Sequence, residues 1–198
     1  MGKGRLEAFS DGVIAILITI MVLELRLPRG ADVTVLRPML PAFLSYVLSF
    51  IFLGIYWNNH HHLLQAARNV NGRILWANMH LLFWLSLIPM ATAWMGDSHF
   101  AAWPVALYGV VLFFAGLAYF VLSRLLISHH GSDSVLASAV GTDFKGKISL
   151  ICYAIAVPAS FSSTGFACGL YVIVAIMWLI PDRRIEQALA QNTKGGLR

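Results

Sequence analysis

The feature that most constrains this chain is a succession of long apolar runs with few charges inside them. A helix that crosses a bilayer needs about 20 mostly apolar residues. Six stretches have that character: roughly Leu6 to Leu25, Leu40 to His62, Ile74 to Met95, Trp103 to Leu126, Lys147 to Ser162 and Gly165 to Ile180. In lipid the backbone must satisfy its own polar groups, which leaves helices or closed barrels. The runs are continuous rather than alternating, so they predict helices and not barrel strands. Composition agrees. The chain is 59% hydrophobic and 12% charged, where an average soluble domain carries about 25% charge. The fold expected is an all-α membrane protein of six transmembrane helices with no soluble domain. Residues 1–185 form the helical unit, and residues 186–198 form a polar tail that frays.

The expected connections are short. Pro28, Gly30 and Pro38 punctuate the first, and Arg68, Asn69, Asn71 and Gly72 the second. The third is Gly96 to His99. The fourth, Ser128 to Lys145, is the longest polar stretch, with room for a short helix over Val135 to Val140. Only Ser162, Ser163 and Thr164 separate the last two runs, so these form a tight hairpin or one bent re-entrant unit.

Orientation follows from Lys and Arg. With both termini cytoplasmic, the inner segments hold Lys3, Arg5, Arg68, Arg73, Arg124, Lys145, Lys147, Arg183, Arg184, Lys194 and Arg198, and the outer ones only Arg26, Arg29 and Arg37. An odd number of spans would scramble that asymmetry. Trp57, Trp76, Trp94, Trp103 and Trp178 fall near span ends, as an interfacial aromatic belt requires. The net charge of +5 therefore reads as a topology signal and not as a nucleic-acid footprint. Cys152 and Cys168 lie in apolar runs and behave as small hydrophobes, with no disulfide framework or metal motif. The first run lacks a small-residue cleavage site and is read as a retained helix.

Charged residues inside a span are costly and mark function by default. Asp11 lies early in the first run, after Arg5, Glu7 and Ser10. It either caps the apolar part of the helix at headgroup level or joins a buried polar cluster. Partners for such a cluster sit at the same end: Asn58, Asn59, His60, His61 and His62 close the second run, and Asn78 and His80 open the third. Adjacent histidines on a helix point to different faces, so a hydrogen-bonded anchor fits better than a metal site. Further along, Ile16, Ile20 and Leu23 form one stripe with Thr19 beside it, on a different face from Asp11. Periodicity alone favours helix packing or lipid contact for that stripe.

The segment Arg5-Leu6-Glu7-Ala8-Phe9-Ser10-Asp11-Gly12 resembles the signature of the transmembrane protein 175 family, the lysosomal-type potassium channels and their bacterial relatives. Ala15, Ile16, Thr19, Leu23 and Glu24 also fit the pattern, and Trp57 to His62 resembles the family's second recurring feature. The resemblance implies a bacterial-type unit that assembles as a homotetramer, with the first helix lining the pore. It implies an apolar constriction at Ile16, Ile20 and Leu23, a polar ring at Thr19, and a structural polar network of Arg5, Ser10, Asp11, Trp57, His60 and His61. No Thr-Val-Gly-Tyr-Gly filter occurs in the sequence, unlike ordinary potassium channels. The function expected is a potassium-permeable cation channel of a bacterial plasma membrane, with K+ as permeant ion and no cofactor. A proton-coupled transporter or proton-permeable channel using Asp11 and the histidines is the alternative. No paired carboxylates or nucleophile–base spacing suggests an enzyme.

Overall fold

The computed structural model describes residues 2–25, 32–131 and 143–179. Among these residues the protein is all helical, with no strand. The helices are α1 (Lys3–Leu23), α2 (Leu40–Ala66), α3 (Gly72–Ser86), α4 (Ile88–Asp97), α5 (Ala102–His130), α6 (Phe144–Ala159) and α7 (Thr164–Leu179). A 3-10 segment, Val33–Met39, leads into α2. The expected tail, the short helix over Val135 to Val140, and Arg26, Arg29 and Ile180 lie outside the described residues.

Each apolar run becomes helix, but several boundaries differ. The third run is two helices in line. Pro89 has no N–H to offer Leu85, and the ladder breaks there: Leu87 N donates to Trp84 O in a 3-10 bond, and Ala91 N resumes the α pattern to Leu87 O. Counting α3 and α4 as one kinked rod leaves six rods. Four of them, Lys3–Leu23, Leu36–Ala66, Gly72–Asp97 and Ala102–His130, are long and apolar enough to cross a bilayer. α6 and α7 have 16 residues each, about 24 Å at 1.5 Å per residue. They form the tight hairpin expected: Ser162 N and Ser163 N both donate to Ala159 O, at 3.0 and 2.8 Å.

The fourth connection was expected from Ser128, yet α5 continues to His130. No breaker occurs before Gly131, whose φ of +90° stops the helix. The extra turn carries His129 and His130 to the α2–α3 loop. The first connection, expected as a plain loop, contains the 3-10 segment, capped by Asp32 Oδ1 accepting from Thr34 N at 2.9 Å.

α5 is the central rod. It packs on α3, α4, α6 and α7. Ala115 and Ala118 on α5 are fully buried, and Gly109 approaches so closely that an added Cβ would collide with the Tyr171 hydroxyl. That hydroxyl donates to Val105 O at 3.0 Å. Phe52, Tyr108, Tyr153 and Tyr171 meet edge to face or tilted, tying α2, α5, α6 and α7 into one aromatic centre. Gly96 lets α4 touch α2: a Cβ there would lie 2.6 Å from Ala42 Cα. Small residues at contacts are how helices approach in lipid, where apolar side chains gain little by leaving hydrocarbon. Between these contacts the Thr92 hydroxyl reaches Ser49 Oγ at 2.6 Å, and Ser49 lies 3.0 Å from Tyr108 OH. α1 stands at the edge of this bundle, against α2, α3 and α4.

Candidate functional site

α1 is divided lengthwise. One stripe, Leu6, Ser10, Ile14, Leu17 and Met21, repeats at i+4 and i+3 and is buried against the bundle. The opposite stripe carries Arg5, Phe9, Gly12, Ile16, Thr19, Ile20 and Leu23, all exposed in the single chain. Ile16 is 57% exposed and Leu23 81%, against 1% for Ile14. The Thr19 hydroxyl donates back to Ile16 O at 2.8 Å, so its hydrogen is used within the helix while its lone pairs face out.

The buried stripe holds one polar residue, Ser10, and a chain of hydrogen bonds converges on it. Asn78 Nδ2 of α3 donates to Ser10 Oγ at 2.9 Å, and Ser10 Oγ donates to Leu6 O at 2.9 Å. Asn78 Oδ1 lies 2.7 Å from His60 Nε2 of α2. With the amide nitrogen spent on Ser10, that oxygen can only accept, so His60 carries its proton on Nε2. All three side chains are 0% exposed. Three helices are thus pinned at one point, in a setting where the alternative is an unsatisfied polar group. His60 Nδ1 finds no donor among the described residues.

A second group sits beside the first, nearer the surface. Trp57 Nε1 donates to Asp11 Oδ1 at 3.0 Å. The His61 ring stacks on the Trp57 indole, with centroids 5.8 Å apart and planes 19° from parallel. His61 Nδ1 lies 3.1 Å from Glu7 Oε1, an ion pair when the imidazole is protonated. Lys3 Nζ donates to Gln65 O at 2.9 Å and closes the same seam.

Of the six residues expected in one polar network, five fall into these two groups: Ser10 and His60 in the inner, Asp11, Trp57 and His61 in the outer. The partner of Asp11 is Trp57 and not a histidine. Arg5 is not brought in. It shares the exposed stripe with Ile16 and Leu23, and no hydrogen bond or ion pair joins its side chain to another described residue. Asn78, which the sequence marked only as a possible companion of Asp11, is the link between Ser10 and His60. Glu7 was not singled out, although a signal existed: Glu7 and Asp11 are four apart on α1, and Trp57 and His61 are four apart on α2. Two matched i, i+4 pairs on adjacent helices face each other. Among the described residues no group of three or more His, Cys, Asp or Glu stands close enough to hold a metal ion.

A family model described as "Endosomal/lysosomal potassium channel TMEM175" matches residues 5–89. The match runs from Arg5 to Pro89 and so covers the helices that carry both polar groups. A potassium channel of Chryseobacterium sp. (strain P1-3) is 56% identical over 192 residues, 97% of this chain and 100% of that one. The chain belongs to the TMEM175 family. A potassium channel of Streptomyces collinus is 34% identical over 128 residues, 59% of this chain and 61% of that one. The crystal structure of a lysosomal potassium-selective channel TMEM175 homolog from Chamaesiphon minutus superposes with a TM-score of 0.77 at 26% identity. That alignment covers 90% of this chain and 96% of the other. The chain is accordingly a member of an ion-channel family and not of an enzyme family.

Proposed function

We propose that this chain is the subunit of a potassium-permeable cation channel in a bacterial plasma membrane. Four copies surround an axis, and the exposed stripe of α1 faces that axis. One observation carries the reading: α1 is pinned by polar bonds on one face while its opposite face, Ile16, Thr19, Ile20 and Leu23, is exposed among the described residues. One copy of a helix cannot enclose a path, whereas a cyclic assembly brings the same stripe around a common axis. The relatives named as potassium channels support the choice of ion.

In that arrangement Ile16, Ile20 and Leu23 form apolar rings that restrict flow by dewetting. A cation crosses them by thinning its hydration shell. Potassium holds water less tightly than sodium, so the neck favours potassium weakly. Thr19 lone pairs give a polar ring between the apolar ones. Ser10, Asp11, Trp57, His60 and His61 hold the helix in place from behind. α6 and α7 complete six membrane-crossing rods with both termini cytoplasmic.

A transporter reading would need a path through a broken helix near mid-membrane. α1 is continuous, and the break at Leu87 and Pro89 is closed again by the next hydrogen bond. The test is planar-bilayer recording under a potassium/sodium bi-ionic gradient. Ohmic unitary currents, with Ile16→Asn and Ile20→Asn raising conductance and lowering the potassium preference, are the expected result. Saturable proton-coupled uptake without unitary currents would contradict the proposal.

A further inference from the structure

The turn between α2 and α3 is held to the end of α5 by two histidines, and both hold it as hydrogen-bond acceptors. His130 Nε2 accepts from the backbone N–H of Arg68 at 3.0 Å and of Asn69 at 3.4 Å. A backbone N–H can only donate, so Nε2 bears no proton, and Nδ1 carries the hydrogen that it gives to Leu126 O at 2.9 Å. Asn71 uses its Oδ1 to cap α3 by accepting from Ile74 N at 3.0 Å. Its amide nitrogen is left to donate to His129 Nδ1 at 3.3 Å, so His129 also presents a bare ring nitrogen.

We infer that His129 and His130 form an acid-sensitive latch on the α2–α3 turn, engaged while both imidazoles are neutral and released when they take up protons. A proton on Nε2 of His130 removes the acceptor that two backbone N–H groups use among the described residues, and a proton on Nδ1 of His129 faces the donor of Asn71. Imidazole is the side chain whose ordinary charge change falls between pH 5 and 8. The surroundings decide which contact breaks. Leu126 O belongs to the last turn of α5, where a helix favours positive charge, so the imidazolium keeps its bond to α5 and the turn leaves. The charged groups at the meeting elements are basic, namely Arg68 in the turn, Arg73 in the first turn of α3, His61 and His62 on the last turns of α2, and Arg124 on α5, except for Asp143 at the start of α6, which faces Arg124. Among the described residues, neither the turn nor the ends of α2, α3 and α5 contain a carboxylate to hold a released imidazolium in place. Glu7, on α1, faces His61.

The latch sits where it bears on α1. The carbonyl of Gln65, just before the turn, receives Lys3 of α1, and the helices joined by the turn carry His60 and Asn78. Releasing the turn therefore loosens the seam that fixes α1. This consequence for conduction rests on the channel reading above, whereas the latch itself does not.

Amide hydrogen exchange on the reconstituted full chain tests the latch directly. Protection of the Arg68 and Asn69 amides, corrected for intrinsic rates, is expected to fall about tenfold or more between pH 8 and pH 5.5. His130→Ala should lack that protection at both pH values, and His130→Gln should keep part of it at both, because an amide oxygen accepts without titrating. Unchanged protection in the wild type across that range would overturn the latch, as would an equal loss in His130→Gln. If His130→Ala does not fold, the wild type and His130→Gln decide the matter alone. Recording in parallel separates the two readings. Acid-dependent currents in the wild type that His130→Gln flattens support the coupling to α1. An acid-labile turn with no unitary currents in any variant would leave the latch standing and overturn the channel.

Discussion

The two faces of α1 carry opposite instructions on one 21-residue rod. The inner face places a serine among Leu6, Ile14, Leu17 and Met21, and spends it on a bond to a neighbouring helix. The outer face leaves Ile16, Ile20 and Leu23 exposed among the described residues. Polar bonds in a membrane fix position and rotation, because few other partners are available. The contrast teaches that the rotation of α1 is held by specific bonds on one face while the exposed stripe is mostly apolar.

That contrast can be broken by exchanging the properties of the faces. The largest effect is expected for Ile14→Asn, which puts an amide where the side chain is 1% exposed. Lost packing together with an unpaired polar group costs about 3–5 kcal/mol, read as loss of the folded protein in detergent thermal melts. Asn78→Ala comes next. It strips Ser10 and His60 of their common partner and costs about 1–2 kcal/mol, seen as a lowered melting temperature. Trp57→Phe removes only the donor to Asp11 and keeps most of the stacking surface on His61. It costs about 0.5–1 kcal/mol by the same measurement. The smallest stability effect belongs to Ile16→Asn on the free stripe, within about 0.5 kcal/mol of the parent, although the same change should raise conductance. A melting shift for Ile16→Asn as large as that for Ile14→Asn would erase the distinction between the faces.

Much of the fold was legible because its signal is length and polarity. Apolar runs of the right length became helices nearly where they were expected, and the serine-rich gap became a hairpin. Boundaries drifted where local chemistry outweighs hydropathy: Pro89 splits the third run, and α5 runs on to His130 because only Gly131 offers a stop. The site was legible in outline. Ser10, Asp11, Trp57, His60 and His61 do gather at one end of α1. Their pairing was not legible, since a linear sequence does not give the rotation of one helix against another. Asn78 became the hinge of the inner group because α3 turns it toward Ser10, and Arg5 fell outside because its angular position matches Ile16 and not Ser10. The histidine contacts to the α2–α3 turn were hidden for the same reason as the last turn of α5, a polar stretch being read as loop.

The central claim is that the free stripe of α1 faces a water-filled ion path. It is tested most directly by single cysteines at Ile16 and Ile14, in a background with Cys152→Ala and Cys168→Ala, during bilayer recording with a small charged thiol reagent. The account predicts that reagent added to Ile16→Cys reduces the current irreversibly while Ile14→Cys is untouched. Equal block at both positions, or no block at Ile16→Cys, would contradict it.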